Sequence, residues 1–104
     1  MLTLALTWAG CATPPVSRID EHRAIYDSWP LETRQLVLDG HVAAGMTPDM
    51  VYLAWGEPQR VVTGQMLGEE LWLYEEAYLD GPVLERRVVI FRGGLVQSAG
   101  IQRF

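Results

Sequence analysis

The stretch from Thr47 to Pro58 marks the boundary between two kinds of structure in this chain. Thr47 followed by Pro48 predicts the start of a helix, because threonine caps a first turn and proline is tolerated at the first helical position. Gly56 is expected to end that helix in a left-handed conformation, and Pro58 prevents its continuation. After Pro58 the apolar spacing changes from a period near 3.6 residues to a period of two. The sequence therefore predicts helices before this boundary and a sheet after it.

A second helix is predicted upstream of the boundary. Ser28 is expected to cap it, with Pro30 at or near its first position. Apolar residues then recur at helical spacing up to Val42, and Gly40 weakens or ends the helix. In the helix that Thr47 caps, four residues are expected to face inward: Met50, Val51, Ala54 and Trp55.

Three segments after the boundary are predicted strands: residues 70–78, 83–91 and 95–101. Residues 59–63 form a short β-branched run before them, and Gly93 with Gly94 predicts a tight hairpin. We therefore expect an α+β domain over residues 28–104, with two helices packed on one face of a three-stranded antiparallel meander.

The N-terminal segment differs from the rest of the chain. Its first ten residues carry no charge and end in small residues before Cys11, and Pro14 and Pro15 follow. They are too few to span a bilayer, which takes about 20 apolar residues, but they match the apolar region of a signal peptide. Small residues before a cysteine resemble the bacterial lipoprotein signal, in which the cysteine is lipidated and becomes the new N-terminus.

We accordingly expect residues 1–10 to be a signal peptide whose basic start lies upstream. Residues 11–27 are then the lipidated Cys11 and a tether to the domain. The alternative is that residues 1–10 form the first apolar element of a cytosolic domain, with Cys11 an ordinary buried thiol. The two prolines that follow so soon disfavour this alternative, since they interrupt regular structure.

The composition excludes several functional classes. The formal net charge is -5, which disfavours nucleic-acid binding, since that binding depends on phosphate neutralisation. A single cysteine and two distant histidines, His22 and His41, give no metal-site spacing. Motifs for a nucleophilic serine, a phosphate loop or a zinc helix are not found in the sequence. We expect no enzymatic activity, no cofactor and no bound metal.

The residues around the boundary also carry a family resemblance. They form a G-M-T-x3-V-x4-G-x-P pattern: Gly45, Met46, Thr47, Val51, Gly56 and Pro58. This pattern resembles the SmpA/OmlA family of small bacterial lipoproteins, also called BamE-like. The resemblance implies the ααβββ build, which is shared with β-lactamase-inhibitor-like domains. It also implies a lipidated cysteine and a periplasm-facing position at the outer membrane. Each residue of the pattern has a structural role, so the pattern indicates a fold rather than a site.

Two functions follow as hypotheses. The resemblance implies a non-catalytic, lipid-anchored scaffold subunit that binds outer-membrane β-barrel assembly proteins. The alternative is a free-standing lipoprotein that faces the periplasm and binds or inhibits another protein or ligand. Under either hypothesis Tyr52 and Tyr78 are the expected partner contacts, because partly exposed aromatic residues commonly anchor protein interfaces.

Overall fold

The computed structural model describes residues 15–77 and 83–103. It contains an antiparallel four-stranded sheet in the order β1-β2-β3-β4, preceded by four short helices. The helices are α1 Pro15–Glu21, α2 Arg23–Asp27, α3 Leu31–Leu38 and α4 Pro48–Trp55. The strands are β1 Arg60–Thr63, β2 Glu69–Ala77, β3 Val83–Arg92 and β4 Leu95–Arg103.

The prediction of three strands was wrong, because the sheet has a fourth strand at its edge. The β-branched run after Pro58 forms β1, in which Val61 lies opposite Trp72 of β2. Four residues give too short an alternation to predict a strand from sequence. β1 forms because its backbone groups pair with those of β2, so this strand depends on tertiary structure rather than on its own sequence.

The prediction of two helices was also incomplete. Residues 15–27, expected to be part of the tether, form α1 and α2 and bury Ile19 and Tyr26 in the same core as the sheet. Ser28 does not cap α3, since its hydroxyl donates to the Ile25 carbonyl at 2.6 Å and so helps to end α2. Pro30 occupies the position before the first residue of α3 instead.

The core lies between the helices and one face of the sheet. Val51, Leu53 and Ala54 of α4 are buried there, together with Val37 of α3. The sheet contributes three buried side chains, Val89, Phe91 and Val96, with Trp72 and Tyr74 packed against them. Leu53 was not among the expected inward residues of α4, whereas Val51 and Ala54 were. Within residues 15–77 and 83–103, the helices pack on this face of the sheet, and none lies on the opposite face.

Candidate functional site

The C-terminal end of α4 is held by a side chain from the first helix. Arg18 is only 7% exposed, and its Nε and Nη2 each donate a 3.0 Å hydrogen bond, to the carbonyls of Leu53 and Ala54 respectively. Burial lowers the pKa of this guanidinium from its ordinary value. The carbonyl end of a helix, however, favours a cation. Arg18 therefore links α1 to α4 and satisfies carbonyls that α4 leaves unpaired at its end.

Aromatic residues surround the same helix end. The Tyr74 hydroxyl donates to the Gly56 carbonyl at 2.8 Å, and the Trp55 Nε1 donates to the Gly40 carbonyl at 2.8 Å. The two rings meet edge to face, with centroids 5.5 Å apart. Burial raises the pKa of the Tyr74 hydroxyl well above its usual range, so the group stays a neutral donor. These polar groups are engaged inside the molecule, and their role is structural.

Arg87 connects this aromatic cluster to the sheet. Its guanidinium carbon lies 5.0 Å from the centroid of the Trp55 ring, a cation–π contact. Its Nε donates to Glu85 at 2.7 Å, and Arg103 donates to the other oxygen of the same carboxylate at 3.0 Å. The hydrogen bond from Arg87 is the main cause that lowers the pKa of Glu85, with a smaller contribution from Arg103. Glu85 is therefore an ionised structural partner of both arginines.

The residues of the sequence pattern have structural positions as well. Thr47 accepts a hydrogen bond from the Met50 N–H at 3.4 Å, the capping contact expected from sequence. Gly56 has φ 91° and ψ −167°. Its φ is positive as expected, but its ψ differs from the left-handed helical value. This region of backbone conformation is almost restricted to glycine. A Cβ at Gly56 would lie 3.2 Å from Nη1 of Arg18.

The remaining pattern residues serve the fold too. Met46 and Val51 are buried in the core, and Gly45, with φ 92°, donates its N–H to the Val96 carbonyl at 2.9 Å. Pro58 lies between α4 and β1, where the chain turns into the sheet. None of these roles requires a ligand.

Arg18 should contribute measurably to stability. We expect Arg18→Met, which keeps much of the apolar stem, to lower the free energy of unfolding by about 2–3 kcal/mol, because buried carbonyls lose their donor. Arg23 supplies the matched control: it is exposed, and it makes surface ion pairs with Asp20 and Asp27 and a cation–π contact with the Tyr26 ring at 5.9 Å. Arg23→Met should cost no more than about 1 kcal/mol. Urea unfolding of both variants tests this, and equal midpoints would show that Arg18 does not hold α4.

The opposite face of the sheet is the strongest candidate for binding. Successive residues of a strand point to opposite faces, so the neighbours of the buried sheet residues point away from the helices. Five apolar side chains lie on this outer face across three strands, and we call them the outer apolar surface: Val62, Leu71, Leu73, Val88 and Ile90. Val62 is 43% exposed, and the others are partly exposed. None of these five residues belongs to the core between the helices and the sheet.

Ion pairs flank the outer apolar surface at both ends. Arg86 contacts Glu75 at 2.9 Å at one end, and Arg92 contacts Glu69 at 3.3 Å at the other. An apolar centre with a charged rim is the usual anatomy of a protein–protein interface. The arrangement therefore suits a protein partner.

The sequence-predicted partner contacts lie elsewhere. Tyr52 is half-buried on α4, and its ring meets that of His22 edge to face at 5.7 Å. Tyr78 and Cys11 lie outside the described residues. Sequence reasoning missed the outer apolar surface, although a signal was present. Leu71 and Leu73 alternate with aromatic residues, and Val88 and Ile90 alternate with other apolar residues, so both faces of these strands are apolar.

The described part of the chain offers little other chemistry. Within residues 15–77 and 83–103, the structure shows no cluster of side chains suited to holding a metal ion. In that same part, no helix is long and apolar enough to cross a membrane. Buried polar side-chain atoms of the described residues all have hydrogen-bond partners.

No family model matches this chain, and no curated protein matches it. One solved structure similar to it is provisionally assigned as the osmotically inducible lipoprotein OsmE. The two share 25% identity over 60% of this chain and 70% of that chain, with a TM-score of 0.48. At this level of similarity, the function of this chain must be argued from its own residues.

Proposed function

We propose that this protein is a non-catalytic envelope lipoprotein, anchored through Cys11, that binds an outer-membrane β-barrel assembly protein. The observation that carries the binding function is the outer apolar surface, an apolar sheet face over which none of the described helices lies. The N-terminal segment before Cys11 and the pattern from Gly45 to Pro58 support the envelope location through their resemblance to small bacterial lipoproteins.

The chemistry of the surface favours a protein as the partner. Val62, Leu73 and Val88 present aliphatic groups, and the basic residues at the rim are paired with carboxylates. Arg86 and Arg92 are thus already partly neutralised within the sheet. A nucleic acid would need a surplus of positive charge on the binding surface. An apolar protein surface with polar edges matches this arrangement better than a nucleic acid does.

Crosslinking in cells tests the proposal. A photoreactive amino acid at position 73 lies at the centre of the outer apolar surface, while the same group at position 31 is exposed on α3. We expect position 73 to capture an outer-membrane assembly protein, and position 31 to capture none. Both variants should keep the melting temperature of the parent.

Two results would contradict the proposal. Capture of only soluble periplasmic proteins from position 73 would favour the inhibitor or ligand-binding alternative. Equal capture of assembly proteins from positions 73 and 31 would show that proximity in the envelope, rather than the sheet face, produces the crosslinks.

A further inference from the structure

The two edges of the sheet differ in how well they are protected against pairing with another chain. β1 has four residues, follows Pro58 and begins with Arg60. β4 has nine residues, and it contains neither proline nor any charged residue before Arg103. Proteins use short strands, prolines and charges to keep an edge from pairing. β4 lacks these protections along most of its length.

One end of β4 is already covered by this chain. The Val96 carbonyl accepts from the Gly45 N–H at 2.9 Å, and the Val96 N–H donates to the Met46 carbonyl at 2.8 Å. After a bulge, β4 pairs regularly with β3 from Ser98 to Arg103. The side chains of residues 97–103 are exposed. The accessible edge is therefore the second part of the strand.

Gly100 lies in the middle of this accessible edge, and the described structure does not require a glycine there. Its φ does not fall in the positive region, and an added Cβ would meet no atom within 4 Å. Glycine weakens the interior of a strand, and it often marks a place where another backbone approaches closely. Gly100 therefore leaves room at this edge for a second backbone to approach closely.

We propose that β4 pairs in antiparallel fashion with β4 of a second copy of this chain, about a two-fold axis at Gly100. In this register Ala99 lies opposite Ile101 of the second copy on the helix-bearing side, where Val89 is the β3 neighbour of Ala99 and Arg87 is the β3 neighbour of Ile101. Ser98 lies opposite Gln102 on the outer side. Pairing covers Ile101, which is 52% exposed in the single chain.

The covered end of β4 excludes registers in which the axis lies closer to that end. With the axis at Ala99 instead, Val96 of the second copy and its bonded loop would lie opposite Gln102 and block the pairing. With the axis at Gly100, that loop lies past the end of β4. Arg103 then faces Gln97, and its guanidinium already donates to Glu85. No like charges oppose each other along the paired strands, although the chain is acidic.

Pairing of this kind would also bring the outer apolar surfaces of the two copies into one sheet, with Ser98, Gly100 and Gln102 of each copy between them. The two-fold axis is perpendicular to the sheet, so the outer faces of both copies lie on the same side. Four strands from each copy would form one continuous sheet of eight. The inference does not depend on lipidation of Cys11 or on the identity of the partner.

Disulfide trapping of the full-length chain in cells tests the register. At the axis, paired Cα atoms lie about 4.5–5.5 Å apart, which is within disulfide range. We expect Gly100→Cys to give a disulfide-linked homodimer under mild oxidation. Ser98→Cys is the matched control, because the two copies of position 98 lie four strand residues apart, about 14 Å. We expect no dimer from Ser98→Cys or from the parent, whose only cysteine is Cys11.

A second substitution separates edge pairing from random collision. Adding Ile101→Lys to Gly100→Cys should abolish the dimer, because a charge then lies in the paired edge. Adding Val61→Lys should leave the dimer unchanged, since Val61 is 51% exposed but lies on the β1 edge. The proposal is overturned by equal trapping from positions 98 and 100, by no trapping from position 100, or by trapping from position 100 to a different protein.

Discussion

Phe91→Ala is expected to lower the free energy of unfolding by about 3–5 kcal/mol, a typical cost for removing a buried aromatic ring. Phe91 is 2% exposed, and its ring meets that of Trp72 at a centroid distance of 4.8 Å. It lies on the helix-bearing face of β3, where the helices and the sheet share one core. Its removal leaves a cavity that the surrounding strands can close only in part.

The adjacent residue supplies the control for this prediction. Ile90 belongs to the outer apolar surface and is partly exposed. Ile90→Ala should cost no more than about 1–2 kcal/mol, because less area leaves water at that position on folding. Urea unfolding of both variants measures the difference. Equal losses would mean that both faces of β3 are equally buried, and the assignment of an uncovered outer face would be wrong.

Cys11→Ala is expected to abolish lipidation and release the protein from the membrane fraction. Each buried methylene of an acyl chain contributes about 0.8 kcal/mol, so one chain binds reversibly and two or more hold a small domain firmly. Fractionation of cells labelled with a fatty acid measures both effects. Thr13→Ala serves as the control, because it lies close to Cys11 but leaves the cysteine in place. Continued labelling of Cys11→Ala, or a fully soluble parent, would exclude the lipoprotein interpretation.

The structure shows which features of the fold can be predicted from local sequence. Thr47 begins α4 and Gly56 ends it through contacts within a few residues, so both ends of this helix could be predicted from the local sequence. α1 is different, since its buried Arg18 bonds to carbonyls 35 and 36 residues away. β1 likewise depends on pairing with Trp72 and its neighbours in β2. Elements stabilised by distant partners carry too weak a local pattern to be predicted.

Part of the candidate site could also be predicted from the sequence. The aromatic composition predicted Tyr52 as a partner contact, and in the structure its ring packs against that of His22. The better signal was the alternation in the strands, where Leu73 and Val88 repeat an apolar pattern on the face opposite to the core. That pattern predicts strands with two apolar faces. Only the tertiary structure shows which of those faces the helices cover.

The proposed anchoring by a lipid on Cys11 is tested most directly by the mass of the mature N-terminal peptide. Protein purified from the membrane fraction would be digested and its N-terminal peptide identified by mass spectrometry. We expect a peptide that begins at Cys11 and carries acyl chains on that residue. A peptide that retains residues before Cys11, with the thiol unmodified, would contradict it.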